Sequence, residues 1–255
     1  MRRLYDRAKQ FGTWDPASID FGRDTEEWRE LSRDERDLLA TVVNLFSAGE
    51  IAVTKDLLPV AFRAAREGRI DDELFVTAWL WEEGKHADFF RRFMEQVFVD
   101  GDREPLAQAG RVLLEDELSA AMDQLMIDSR PAAHAVALTT YCLVVEGLLA
   151  DLGQRVLEEA LEPNDLLPGL RAGLELVNRD ESRHIAYGLH VIERLAREDP
   201  AVAGAVEARA RKLAPLIVTL ANSVIDRYET RPFGLSYAIQ RPMDRFVGLV
   251  QRMRP

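Results

Sequence analysis

Two Glu-x-x-His motifs, each preceded by a lone glutamate in an apolar stretch, constrain the fold of this chain more than any other feature. The motifs begin at Glu83 and Glu181, and the upstream glutamates are Glu50 in NLFSAGEIAV and Glu146 in YCLVVEGLLA. Each glutamate precedes its motif by nearly the same distance, which indicates two copies of one unit. Residues three apart on an α-helix share a face, so the Glu and the His of each motif point in one direction. Each half is therefore predicted to supply one helix with a Glu and another with a Glu and a His.

The repeated side chains form a set suited to binding metal ions. The predicted ligands are Glu50, Glu83, His86, Glu146, Glu181 and His184. Four carboxylates and two imidazoles converging inside a helical bundle are the ligands of ferritin-like di-iron and di-manganese proteins. A carboxylate within an apolar helix is costly unless a cation neutralises it, and this argument is strongest for Glu146. Carboxylates with one imidazole per metal suit iron and manganese, and the lack of thiolates argues against structural zinc.

Other glutamates and histidines fit no ligand spacing. Glu82 and Glu175 are predicted to lie on solvated helix faces, which is the usual place for a mid-helix glutamate. His134 and His190 are predicted to be surface or packing histidines.

The composition limits the partners and the compartment. The 255 residues include 44 acidic and 33 basic residues, and the net charge of −11 argues against a nucleic-acid surface. The single cysteine, Cys142, excludes an internal disulfide and fits a reducing cytoplasm. The N-terminus lacks the apolar run of a signal peptide, and no uninterrupted apolar stretch approaches about 18 residues. We expect a cytoplasmic protein with no transmembrane segment.

Strand signals are nearly absent, and the Ala, Leu, Glu and Arg content favours helix. The sequence predicts one all-α domain over residues 1–255, with a ferritin-like four-helix bundle core and additional flanking helices. Residues 1–30 are expected to form an irregular N-terminal arm, because glycines and a proline interrupt it. Ser32 and Glu35 form a capping-box signature that opens the first helix, and Pro59 is expected to kink it near its end. Helices are predicted over approximately 33–67, 71–98, 104–128, 131–161, 167–197, 200–228 and 235–253.

At these motifs the chain resembles the ribonucleotide reductase small-subunit superfamily. The arm sequence TWDPASIDFGRDTEEWRELSRDER is similar to the opening of those subunits, and the resemblance covers roughly residues 10–230. It implies that Asp180, directly before Glu181, forms a hydrogen bond to a ligand histidine and orients it.

Three departures make the reductase role itself a poor fit. Radical-generating subunits usually carry a Tyr four residues beyond the first motif's His, where this chain has Phe90, although one reductase subgroup also has Phe there. Their usual first ligand is Asp, where this chain has Glu50. They also need a flexible C-terminal tail with a Tyr, whereas no Tyr follows Tyr237 here.

Val53 and Tyr141 point to a narrower branch. They are similar to the Val and Tyr that an ether cross-link joins in the ligand-binding oxidases of this superfamily. That resemblance implies a homodimer with a mixed manganese and iron centre (di-iron being the alternative) and a long-chain fatty acid or similar apolar acid held over it. It implies manganese at Glu50, Glu83 and His86, and iron at Glu146, Glu181 and His184. Tyr141 precedes Glu146 by five residues, which is about 140° around an ideal helix, so contact with the metals needs a long side chain or a local bulge.

The resulting hypothesis is a two-electron oxidase that activates O2, forms the Val53–Tyr141 cross-link and holds an apolar acid in a tunnel lined by residues such as Phe46, Val145 and Leu149. The alternatives are a ribonucleotide reductase small subunit, a ferritin-like metal store, and a helical structural protein without metal.

Overall fold

A computed structural model of the chain describes residues 1–225, residue 227, residues 232–234 and residue 248, and the regular structure in these residues is helical throughout. The α-helices are α1 Arg2–Phe11, α2 Gly22–Glu30, α3 Arg33–Asp56, α4 Leu58–Arg66, α5 Ile70–Gln96, α6 Gln108–Arg111, α7 Ser119–Ile127, α8 Pro131–Leu138, α9 Asp151–Leu161, α10 Pro168–Glu198 and α11 Ala201–Ile225. Short 3-10 helices cover Pro16–Ser18 and Pro232–Gly234, and π-helical segments cover Val112–Leu118 and Thr139–Ala150. The predicted helix over 235–253 lies outside the described residues except for residue 248.

Four long helical elements form the core of the bundle. They are α3, α5, α10 and a continuous helix in which Thr139–Ala150, here called the central π segment, joins α8 to α9. These elements pack on one another, and the shorter helices flank them. The prediction of an all-α, ferritin-like bundle is therefore confirmed.

The ligand-bearing turns lie where two apolar clusters meet. Along α5, Trp79 belongs to one cluster and Phe89 to the other, and the Glu83 motif lies between them in sequence. Along α10, Val177 and Tyr187 belong to different clusters in the same way, and the Glu181 motif lies between them. Packing on both sides therefore fixes the helices around the polar residues.

Local sequence signals explain the ends of α3. Ser32 and Glu35 form the predicted capping box, in which the Ser32 backbone N–H donates to Glu35 Oε2 at 2.9 Å. The expected kink at Pro59 is instead a break, because α3 ends at Asp56 and α4 begins at Leu58. Proline has no N–H to continue the helix but fits its first turn, so the chain starts a new helix there.

The expectation of an irregular arm was wrong. Residues 1–30 contain α1, a 3-10 turn and α2, because Gly12 and Gly22 mark helix ends rather than the absence of helix. The arm is also tied to the core. The buried carboxylate of Asp24 accepts hydrogen bonds from the backbone N–H groups of Gly169 at 2.9 Å and Leu170 at 2.7 Å, which caps the start of α10.

Two helical runs are long and apolar enough to cross a membrane by length and composition alone, Arg33–Arg66 and Pro131–Leu161. Their apolar windows are 44% and 72% buried within the bundle, and the core helices of soluble proteins pass the same test. The absence of a transmembrane segment and the cytoplasmic location therefore stay predictions.

Replacing Asp24 by Ala should destabilise the protein by about 1–2 kcal/mol, because two buried N–H groups at the start of α10 lose their acceptor. Urea unfolding followed by circular dichroism would measure the change. Glu26→Ala is the matched control, since Glu26 is an exposed acidic residue on the same helix. Equal stability of the Asp24 variant and the control would contradict the capping role.

Candidate metal centre

The six predicted ligand side chains meet in the core of the bundle. Glu50 comes from α3, Glu146 from the central π segment, and the two motifs from α5 and α10. All six side chains are buried. Their donor atoms form two groups in which every atom lies within 4.8 Å of the others. The first group is Glu50, Glu83, His86 and Glu181, and the second is Glu83, Glu146, Glu181 and His184.

Glu83 and Glu181 belong to both groups. Glu181 Oε1 lies 3.1 Å from His86 Nδ1, and Glu181 Oε2 lies 3.4 Å from His184 Nδ1. Glu83 also lies between the two histidines, with its Oε2 3.6 Å from His86 Nδ1 and its Oε1 3.2 Å from His184 Nδ1. The geometry thus differs from the expected division, in which Glu83 served one ion and Glu181 the other.

Glu50 and Glu146 each belong to one group. Glu50 Oε2 lies 3.5 Å from His86 Nδ1, and Glu146 Oε1 lies 3.5 Å from His184 Nδ1. Two ligands that bind one ion at about 2.1 Å and at right angles lie about 3 Å apart. The observed spacings suit two ions, each with one imidazole, one terminal carboxylate and two shared carboxylates.

Six buried atoms of the cluster lack hydrogen-bond partners among the residues that the structure describes. These atoms are Glu83 Oε2, His86 Nδ1, both carboxylate oxygens of Glu146, Glu181 Oε2 and His184 Nδ1. Other atoms of the same residues are satisfied, since Glu83 Oε1 accepts from Trp79 Nε1 at 2.6 Å and from the Tyr141 hydroxyl at 3.0 Å. Buried polar atoms without partners are costly, and metal ions at their centre would supply the missing contacts. The residues present therefore fit a dinuclear metal centre.

The electrostatics of the cluster lead to the same conclusion. Burial raises the pKa of Glu50 and of Glu146 well above the ordinary glutamate value. Burial acts in the same direction on Glu83, but the imidazoles of His184 and His86 hold its pKa well below that value. Four carboxylates this close need positive charge between them, from protons or from metal ions.

Asp180 occupies the position that the resemblance implies. Its Oδ2 lies 3.2 Å from His86 Nε2, the ring nitrogen on the side away from the cluster. A carboxylate in this place fixes the tautomer and the orientation of a ligand imidazole.

Glu82 was wrongly predicted to be solvent-exposed. It is fully buried, and its Oε2 lies 2.9 Å from His184 Nε2. An acidic residue directly precedes each motif and contacts the histidine of the other motif. Asp180, before the second motif, contacts His86 of the first, and Glu82, before the first motif, contacts His184 of the second. Comparing the two repeats residue by residue would have revealed this partner from the sequence.

Tyr141 and Val53 lie in the same apolar cluster, on different core helices. In a π-helix the backbone bonds join residues five apart, so the central π segment places Tyr141 near the same side as Glu146. Of the two alternatives that the spacing left open, a long side chain or a local bulge, a local departure from α-helix is present. Burial, followed by the charge of Glu83, raises the pKa of Tyr141 well above its ordinary value, so this phenol keeps its proton.

An apolar groove leads to the cluster. It has about 600 Å³ of empty space, including the part open to solvent, and Phe46, Val145 and Leu149 lie on its wall. Val53 also lines it, and Glu50, Glu83, Glu146 and Glu181 lie at its inner end. A separate crevice with more polar walls, including Asp151, Arg155 and Glu158, also reaches Glu146 and Glu181.

The other residues considered in the sequence analysis do not belong to the candidate ligand set. Phe90 is fully buried and stacks on Phe46 with ring centroids 5.4 Å apart, so no phenol occupies that position. His134 is buried, with Nδ1 3.6 Å from Glu67 Oε1, and His190 and Glu175 are exposed.

Comparison with known proteins agrees with this geometry. An R2-like ligand-binding oxidase with an aerobically reconstituted Mn/Fe cofactor has a TM-score of 0.88 and 30% identity, over 99% of this chain and 90% of that one. A variant of such an oxidase with an anaerobically reconstituted Mn/Fe cofactor has a TM-score of 0.90 and 30% identity, over 100% of this chain and 92% of that one. The family described as ribonucleotide reductase, small chain, matches residues 2–236. With its fold, its paired motifs and this match over most of its length, the chain belongs to the ribonucleotide reductase small-chain family.

Proposed function

We propose that this protein is an O2-activating oxidoreductase with a dinuclear centre of one manganese and one iron, held in a single domain over residues 1–255. Its proposed ligands are Glu50, Glu83, His86, Glu146, Glu181 and His184. The observation that carries the proposal is the convergence of unpartnered carboxylate oxygens and imidazole nitrogens in a buried core. The Mn/Fe cofactors of the similar R2-like oxidases support the choice of metals.

The protein's own residues supply geometry and a dry environment. Metals bound at these residues would supply the redox chemistry that transfers electrons to O2. The two donor groups are here called the His86 half-site and the His184 half-site, and Glu83 and Glu181 belong to both. These two carboxylates would therefore help to hold both ions. The apolar clusters on both sides of these residues limit the contact of the centre with water, which strengthens each electrostatic contact within it.

The proposed internal substrate is the pair Val53 and Tyr141. The Tyr141 O–H and the Val53 Cβ–H bonds break, one C–O ether bond forms, and the two electrons and two protons pass to O2. The hydrogen bond from the Tyr141 hydroxyl to Glu83 supports this role, because it directs the phenol oxygen toward a shared ligand. The bond would join α3 to the central π segment and hold the two helices together.

The proposed ligand is a long-chain apolar acid in the groove. Its hydrocarbon chain would lie against residues such as Phe46 and Leu149, and its carboxylate would approach the cations at the inner end. The similarity to R2-like ligand-binding oxidases supports a ligand in this place.

The proposed assembly is a homodimer. Large apolar side chains that are more than half exposed on α3, α4 and α5, such as Ile51, Leu58 and Trp81, are consistent with a protein partner. The reductase alternative has less support, because the similar solved structures at 30% identity are R2-like ligand-binding oxidases.

Replacing Glu181 by Ala should reduce the metal content from two ions per chain to one or none, because it removes a carboxylate shared by both half-sites. Elemental analysis after loading with manganese and iron and desalting would measure it. Glu175→Ala is the matched control, since Glu175 is exposed on the same helix and should leave the content at two. Full loading of the Glu181 variant would rule out the ligand assignment.

Replacing Tyr141 by Phe should prevent the ether cross-link while the six ligands still bind metal. The metal-loaded parent exposed to oxygen should lose the mass of two hydrogen atoms and yield one joined peptide with both residues after trypsin digestion. The variant should keep its full mass and yield two peptides. Two separate peptides from the aerated, metal-loaded parent would contradict the proposed cross-link.

Replacing Leu149 by Trp should displace the apolar acid, because the larger ring fills the groove. Organic extraction followed by mass spectrometry should release a fatty acid from the parent and much less from the variant. Ile127→Trp is the control, because Ile127 is 82% exposed. Equal acid content in both variants, or none in the parent, would argue against an acyl ligand in this groove.

A further inference from the structure

The Nε2 atoms of the two predicted ligand histidines, His86 and His184, contact carboxylates at different distances. His86 Nε2 lies 3.2 Å from Asp180 Oδ2, whereas His184 Nε2 lies 2.9 Å from Glu82 Oε2. Both carboxylates are fully buried, so a difference in solvent contact does not explain the two distances. The surroundings of the carboxylates do differ.

Asp180 divides its negative charge among four donors. Its Oδ2 accepts from Lys85 Nζ at 2.6 Å and from Trp14 Nε1 at 2.8 Å, in addition to His86. Its Oδ1 accepts from the Arg183 guanidinium at 2.6 Å. Two of the four donors are cations, which neutralise much of the charge that His86 would otherwise meet.

Glu82 has fewer donors. Its Oε1 accepts from Arg183 at 2.5 Å and its Oε2 pairs with His184. Within the part of the chain that the structure describes, Arg183 is its only arginine or lysine ion-pair partner, and that guanidinium is shared with Asp180. More of the negative charge of Glu82 is therefore directed at its imidazole.

This difference alters the imidazoles as ligands. A hydrogen bond to a strongly negative carboxylate raises the basicity of the nitrogen on the opposite side of the ring. His184 is accordingly the stronger donor to an ion in its half-site, and His86 is the weaker donor. The shorter distance at His184 agrees with this order.

We infer that the unequal contacts of Asp180 and Glu82 with the two histidines determine which metal binds where. Iron binds at the half-site of His184, and manganese binds at the half-site of His86. The inference rests on the proposed Mn/Fe function and adds the residues that determine the arrangement. Fe²⁺ binds nitrogen and oxygen ligands more tightly than Mn²⁺, and a stronger donor increases that advantage. Glu82, Lys85 and Arg183 thus act as positioning residues through the histidines.

Residues of the N-terminal arm contact Lys85 and pack closely against Glu82. The Gly12 carbonyl accepts from Lys85 Nζ at 2.7 Å, and Lys85 lies over the Trp14 ring, 4.4 Å from its centroid. A Cβ atom at Gly12 would lie 2.0 Å from Glu82 Oε1, so only glycine lets the arm approach this closely. The helical arm therefore contributes to the asymmetry as well as to the fold.

The variant Glu82→Gln tests the inference, because it keeps the size of the side chain and removes its charge. The full-length protein is loaded without oxygen from an equal mixture of Mn²⁺ and Fe²⁺, and anomalous diffraction at the two metal edges gives the occupancy of each metal at each half-site. The affinity of the His184 half-site should fall by about 10- to 100-fold, with a smaller share of iron there. The His86 half-site should change little, and Glu175→Gln should match the parent.

The variant Lys85→Met provides a test in the opposite direction. It removes one cation from Asp180, which should strengthen the Asp180–His86 interaction and raise the share of iron at the His86 half-site. General damage to the fold would lower the metal content at both half-sites and would not produce this shift.

The inference is overturned if the parent and both variants share one metal distribution, or if Glu82→Gln lowers the occupancy of both half-sites equally. A parent that binds two metals but in random order would also overturn it while leaving the dinuclear centre intact. A parent with no dinuclear centre would overturn the proposed function together with this inference.

Discussion

Four carboxylates buried beside two imidazoles impose the constraint on which the rest of this structure depends. Removing that many acidic groups from water is unfavourable unless compensating charge lies between them. Six buried atoms of the cluster have no hydrogen-bond partner among the described residues, while Glu83 Oε1 and the Nε2 atoms of His86 and His184 contact tryptophan, tyrosine, aspartate and glutamate side chains. Metal bound here would be coupled to the folding of the core, since each half of the bundle contributes only part of the candidate ligand set.

The bundle meets this constraint by using one structural unit twice. Each unit provides a carboxylate that belongs to one donor group, a carboxylate that belongs to both, an imidazole, and an acidic residue beside the imidazole of the other unit. The crossing of Asp180 to His86 and of Glu82 to His184 ties α5 and α10 together through polar contacts as well as apolar packing. The two units are not equal, because the arm adds Trp14 and the Gly12 carbonyl on the side of Asp180 and Lys85.

Much of the site could be predicted from the sequence because it depends on helical spacing. Once α5 and α10 are recognised as helices, a Glu and a His three residues apart must share a face, and the apolar sequence around Glu146 predicts its burial.

Glu82 was missed because a mid-helix glutamate is usually solvated, and the spacing of a single helix does not reveal contacts made by a second one. The sharing of Glu83 and Glu181 between half-sites also depends on how α5 and α10 are placed relative to each other. The five-residue spacing between Tyr141 and Glu146 indicated a long side chain or a local bulge, but it did not predict a π-helical segment of 12 residues. The arm was judged irregular because short helices between glycines have weak sequence signals, and its helices are held by long-range contacts such as Asp24 to the start of α10.

The central claim is that two ions share the carboxylates of Glu83 and Glu181. X-ray absorption at the manganese and iron edges of the doubly loaded protein tests it most directly. The account predicts that each metal has only nitrogen and oxygen ligands and a second metal about 3.5–4 Å away. Spectra in which either metal lacks that metal neighbour, or shows sulfur in its first coordination sphere, would contradict it.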